Sequence, residues 1–314
     1  MRKPETQHRP VISLAIRPKA DSDGVRLIQA LDEIAQEDST VRIQAGPVDG
    51  QTTLSGMDEL HLESICDRIL RQYKVEVDAG VAEVIYLETI RRQAEGEGRY
   101  IRQTGGSGNY GHVKARIEPN EAGKGIGFIN EVRGGVVPAE YIDPIEMGIR
   151  EAARGGVLAG YELVDVKVSL FDGSFHEVDS NEMAFKIAGS MAFKEAARKA
   201  CPIVLEPLMA VDVAVKEELL GATMGDLNSR RGRIDSIAQD AGSAVVHAMV
   251  PLSEMLRSSR HGRPAYFMRF ARYEQAPRRQ EPGPDGPAVT ANEPRRPRNG
   301  SGYNALQLEG GHLD

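Results

Sequence analysis

His176 is the residue whose type is best suited to chemistry in this sequence. Histidine is the side-chain type suited to general acid–base work near neutral pH, and Glu177 and Asp179 stand beside His176 in Phe175-His-Glu-Val-Asp-Ser180. A general base needs a partner nucleophile or a metal set, and no such set accompanies it. A loop histidine can instead hydrogen-bond and stack. An exposed histidine without a role fits the same residues. A second polar segment, Gly105-Gly-Ser-Gly-Asn-Tyr-Gly-His-Val113, has four glycines among its first seven residues. They permit positive φ and close backbone approach. Tyr110 offers a flat ring to a base or ribose. A plain glycine-rich hairpin turn accounts for that segment too. Arg230, Arg231 and Arg233 surround Gly232, and Arg257, Arg260, Arg263, Arg269 and Arg272 follow. Cations at a helix C-terminus complement its dipole, a sufficient structural reason for the first three. A basic face is also a phosphate-contact surface. No residue is assigned a catalytic role and no metal site is assigned.

These segments need rigid neighbours. Ser180 stands where an N-cap would, ahead of a long helix. Met183, Ile187 and Met191 recur at helical spacing and are expected to face a core. The glycine segment lies between one strand carrying Tyr100 and Ile101 and another carrying Val113, Ala115 and Ile117.

After a lead of residues 1–9, residues 10–82 alternate strand and helix signals. The strand from Val11 has one face of Ile12, Leu14 and Ile16. Leu27, Leu31 and Ile34 mark one helix; Leu62, Ile65 and Ile69 mark another. Strand signals at 41–45, 52–55 and 75–77 complete the order βαββαβ, a split ferredoxin-like plan. Residues 205–276 repeat it. Residues 83–204 form a central α+β unit with helices near 139–153 and after His176. Glu121-Ala-Gly-Lys-Gly125 lacks the earlier glycine and the Ser or Thr of a phosphate loop, and reads as a connection between strands. Residues 277–314 are rich in Pro, Gly and Arg and are expected to be disordered.

The 314 residues carry a net charge of −7, which argues against coating nucleic acid by bulk electrostatics; any RNA contact must use local basic patches. Cys66 and Cys201 have no disulfide or metal spacing and read as packed thiols within helical contexts. The run from Ala200 to Val215 is broken by Pro202, Glu206, Pro207 and Asp212, so it cannot span a bilayer. With no apolar signal region at the start, the expected location is the cytoplasm.

Both polar segments resemble the tip of domain IV of bacterial elongation factor G. Gly105, Gly106, Tyr110, Gly111 and His112 match the first tip loop, with Asn109 in place of the usual glutamine. His176 to Lys186 matches the second nearly residue for residue. Pro10 to Lys19 and Leu54 to Glu63 resemble domain III, with Asp58 replacing a glycine. Leu205 to Met209, Gly225 to Gly232 and Val250 to Met255 resemble domain V. Between Pro251 and Tyr266 the family has a longer segment with a full helix, so the second helix of this unit is expected to be short.

The resemblance implies two ferredoxin-like domains flanking a domain IV-like unit. It implies RNA contact near the decoding centre by Gly105, Gly106, Ser107, Asn109, Tyr110, His176, Glu177, Asp179 and Ser180. It implies contact of Asn228, Arg230, Arg231, Arg233, Arg257 and Arg260 with the ribosome near the sarcin-ricin loop. The implied partner is the ribosome with its tRNA and mRNA, met by a monomer, with no membrane. The family's GTP and Mg would belong to a GTPase domain that, with domain II, is expected before residue 1; no cofactor is expected in this chain. The alternative function is a stand-alone paralogue that occupies the factor site as a regulatory, recycling or protection module. An RNA-directed enzyme is the third and weakest reading.

Overall fold

The computed structural model describes residues 9–46, 50–102, 108–240, 242–257 and 266–277. The expected disordered tail therefore lies outside the described residues, apart from Pro277.

The first unit contains β1 (Ile12–Pro18), α1 (Gly24–Glu37), β2 (Arg42–Ala45), β3 (Thr52–Gly56), α2 (Glu59–Tyr73) and β4 (Val77–Ala79). Alternation puts Ile12, Leu14 and Ile16 on one face of β1, and all three are buried. Against them lie Leu27, Leu31 and Ile34 of α1 and Leu62, Ile65 and Ile69 of α2. Fully burying one such side chain stabilises by about 1.5–3 kcal/mol. The sheet order is β2-β3-β1-β4, as the βαββαβ pattern requires. Asp58, the residue standing for a glycine, caps α2 by accepting from His61 N at 2.7 Å through its carboxylate.

The third unit repeats the plan with β11 (Pro202–Lys216), α5 (Leu220–Ser229), β12 (Arg233–Asp240), β13 (Ser243–Pro251), α6 (Leu252–Arg257) and β14 (Tyr266–Gln275). Its order is β12-β13-β11-β14, the same path as the first unit. The described part of the second helix has six residues. The cores of the two units merge into one apolar cluster.

Between them, β5 (Glu83–Val84) pairs with β1, and β6 (Leu87–Ile90) pairs antiparallel with the start of β11. The central sheet consists of β7 (Ala94–Arg102), β8 (Asn109–Pro119), β9 (Ile126–Asn130) and β10 (Val166–Ser174). Its order is β7-β8-β10-β9, with only the β9–β10 pair parallel. Glu121 to Gly125 connects β8 to β9, as expected. Two helices, α3 (Ile142–Arg154) and α4 (Glu182–Lys199), cover one face. The molecule is thus α+β, two ferredoxin-like units flanking a central one.

One expectation fails on α4. Met183 and Met191 are exposed, at 61% and 43%. The buried ridge consists of Ala184, Phe185, Ala188, Gly189, Ala192, Phe193, Ala196 and Ala197. The reason lies in the facing elements. A Cβ on Gly98 of β7 would stand 1.9 Å from the Ala188 carbonyl oxygen, and one on Gly148 of α3 would stand 2.0 Å from that of Lys186. Backbones this close leave room for alanine and exclude methionine.

The central unit is tied to the third through β6. Glu88 is fully buried. Its carboxylate accepts from the backbone N–H groups of Val157, Leu158, Ala159 and Tyr161 at 2.7–3.2 Å. Its own N–H donates to Glu162 O, and its carbonyl accepts from Val164 N, both at 2.8 Å. Tyr273 of β14 donates its hydroxyl to Ile85 O at 3.0 Å, and burial pushes its pKa up. Cys201 stands at this junction, exposed and with φ 55°, outside any helix; its reading as a packed helical thiol is corrected. Cys66, on α2, is partly buried, and burial raises its thiol pKa.

Candidate nucleic-acid interface

The two polar segments meet at the end of the central unit. β8 begins at Asn109, so Asn109 and Tyr110 belong to a strand end. Asp179 joins the segments: its carboxylate accepts from Gly108 N at 2.8 Å and its carbonyl accepts from Tyr110 N at 2.8 Å. Asn181 Nδ2 donates to Asn109 Oδ1 at 2.7 Å. The rings of Tyr110 and His176 lie 4.5 Å apart between centroids, tilted by 48°. His176, Glu177 and Val178 are exposed; Val178 reaches 82%. Gly105, Gly106 and Ser107 lie outside the described residues.

The helix cap differs from expectation. Asn181 caps α4, accepting from Ala184 N at 2.9 Å. Ser180 closes the loop instead: its hydroxyl accepts from His176 N at 2.9 Å, and its N–H donates to His176 O at 3.0 Å. Both residue types cap helices, and the turn through His176 takes the first of them.

Behind Tyr110 runs a hydrogen-bonded series that motif reading did not select. Tyr110 Oη is 2.7 Å from Ser174 Oγ, which is 2.8 Å from His112 Nδ1. His112 Nε2 is 2.8 Å from Glu97 Oε1. The signal available in sequence was alternation: Tyr110, His112 and Lys114 share one face of β8. Lys114 Nζ bonds Asp172 at 3.0 Å. That ammonium bond, with one from Gly173 N, holds the Asp172 carboxyl below the usual range.

Arg230, Arg231, Arg233 and Arg272 are engaged inside the third unit. Arg231, at φ 56°, forms a two-pronged pair with Glu206 at 2.6 and 2.9 Å and bonds Glu254 at 3.0 Å. Glu206 is only 4% exposed, and its hydrogen bonds hold the Arg231 pKa above the ordinary value. Arg230 pairs with Asp226 at 2.8 Å and Arg233 with Asp235 at 3.2 Å. Asn228 is exposed on α5. Arg260 and the side chain of Arg257 lie outside the described residues. The structure thus brings Asn109, Tyr110, His176, Asp179 and Ser180 together and places Arg231 in an internal brace.

Comparison with known families fits this architecture. Residues 8–81 match the model of elongation factor G domain III, residues 82–201 that of domain IV, and residues 203–282 that of the elongation factor G C-terminus. A crystal structure from Thermus thermophilus is similar, with a TM-score of 0.63 and 40% sequence identity. The match covers 88% of this chain and 44% of that one, so this chain spans less than half of its length. The fold and the matched segments are those of a translation elongation factor. The chain belongs to the elongation factor G family.

Proposed function

We propose that this chain acts on the ribosome as a steric and electrostatic element. The Tyr110–His176 end enters the aminoacyl site beside the decoding centre. Occupying that space favours the translocated arrangement of tRNA and mRNA and opposes slippage back, a population shift set by differential contact. The observation that carries the reading is the meeting of two segments, distant in sequence, around an exposed His176 whose ring lies tilted against that of Tyr110. The work is positional; GTP hydrolysis comes from outside this sequence, and the chain alone gives a flat titration with fluorescent GTP. The decisive experiment places His176→Ala in a complete factor and measures two rates in one reconstituted system. Movement of mRNA and tRNA slows while GTP hydrolysis is kept. Equal loss of both rates, or of neither, removes the tip from RNA contact.

A further inference from the structure

The series behind Tyr110 has only one consistent arrangement of protons when His112 is neutral. A carboxylate accepts and cannot donate, so the Nε2 facing Glu97 carries the proton. Nδ1 is then an acceptor, and the Ser174 hydroxyl donates to it at 2.8 Å. The Ser174 lone pairs are left to receive the Tyr110 hydroxyl at 2.7 Å. Tyr110, Ser174 and His112 each donate once, in the direction from Tyr110 to Glu97.

We propose that His112 is a positioning residue for the tip: as the Nε2–H tautomer it orients the Tyr110 ring through Ser174, and so sets the face that the tilted His176 ring meets. Its biological consequence rests on the tip reading above; its geometry does not. Protonation of His112 at Nδ1 reverses the part of the series from His112 to Tyr110, while Nε2–H keeps its bond to Glu97. Nδ1–H then donates to Ser174, the Ser174 hydroxyl turns to Tyr110 Oη, and the Tyr110 O–H turns away from Ser174. The charged groups around His112 are Glu97 and Arg99 on β7, Lys114 on β8 and Asp172 on β10.

The test is NMR of the full chain with labelled histidines. The His112 nitrogens should show the Nε2–H tautomer, and the His176 ring protons a ring-current displacement from Tyr110. Across pH, the His176 signal should follow two midpoints, its own and that of His112. Ser174→Ala should remove the second midpoint and the displacement, and Ser174→Thr, which keeps the hydroxyl, should restore both. Tyr110→Phe breaks the same link without touching the core, and should lose the second midpoint and reduce the displacement as Ser174→Ala does. It serves if Ser174→Ala does not fold. An Nδ1–H tautomer, or a His176 signal unmoved in a folded Ser174→Ala chain, overturns the proposal. Ribosome binding of the same variants separates the two readings: the NMR result with unchanged binding upholds the series and removes the RNA role of the tip.

Discussion

The central unit is built by opposite rules at its two ends. Where it meets β11, polar groups are buried and matched: Glu88 is fully buried and holds four backbone N–H groups. At the far end, hydrogen bonds join the loops to each other while the side chains of His176, Glu177 and Val178 face solvent. A buried carboxylate without its donors is costly, so the first end holds one geometry. An exposed loop braced from below keeps its shape and leaves its polar atoms to a ligand. The contrast suits an arm whose base transmits position and whose end makes contact.

Substitution at the base should break this contrast most severely. Glu88→Ala takes the shared acceptor away from four backbone N–H groups, each worth about 1–3 kcal/mol when left unmatched. Water entering the vacated space recovers part of this, and we expect a loss of about 3–5 kcal/mol, read from urea unfolding. A loss under about 1 kcal/mol would mean that the base is no more constrained than the tip. Arg231→Ala comes next. It leaves the buried Glu206 carboxylate without its cation and with only the Ser253 hydroxyl at 3.2 Å, and it places alanine at φ 56°. Removing one partner of a fully buried pair costs about 3–5 kcal/mol; Arg231 keeps 37% of its side chain exposed, so about 2–3 kcal/mol is expected. Arg230→Ala, breaking an i,i+4 pair, should cost about 0.3–0.5 kcal/mol. Equal effects at 230 and 231 would remove the internal brace.

The two ends also differ in how far they could be read from sequence. The tip was legible because its loops carry unusual side chains in a fixed order. The repeated βαββαβ plan was legible because Ile12, Leu14, Ile16 and the helix stripes alternate at their proper periods. The base was not, because the partners of Glu88 are main-chain groups at 157–161, and any residue type brings an N–H. The core face of α4 was misread for a related reason. Two ridges of that helix are apolar, and hydrophobicity alone favours the one with Met183, Ile187 and Met191. Which ridge is buried depends on the distance to the facing backbone, set by Gly98 and Gly148 on other elements. The series from Tyr110 to Glu97 needs a sheet register to bring residues 97, 112 and 174 together.

Between base and tip stands the start of α4. Asn181→Ala removes the cap on Ala184 N and the bond to Asn109, and should cost about 1 kcal/mol. Ser180→Ala should leave the helix start intact and loosen the loop at His176, seen as faster amide exchange there. If Ser180→Ala destabilises the helix as much as Asn181→Ala, the division of labour between the two residues is wrong.

The smallest effect on stability belongs to His176→Ala, and its smallness sharpens the comparison. The side chain is exposed, so its removal leaves no cavity. Its backbone N–H keeps the bond to Ser180 Oγ at 2.9 Å, because that bond does not involve the ring. What disappears is the contact with Tyr110 at 4.5 Å between centroids. Aromatic pairs contribute about 0.5–1.5 kcal/mol beyond burial, and partial exposure puts this one at the low end. Most of that energy reappears as solvation of the uncovered Tyr110 ring and regained loop freedom. Surface changes of this kind stay within about 0.5 kcal/mol, and urea unfolding should find His176→Ala there. A loss above about 1.5 kcal/mol would show that the His176 ring is part of the scaffold, and the distinction between a matched base and an open tip would then fail at its central residue.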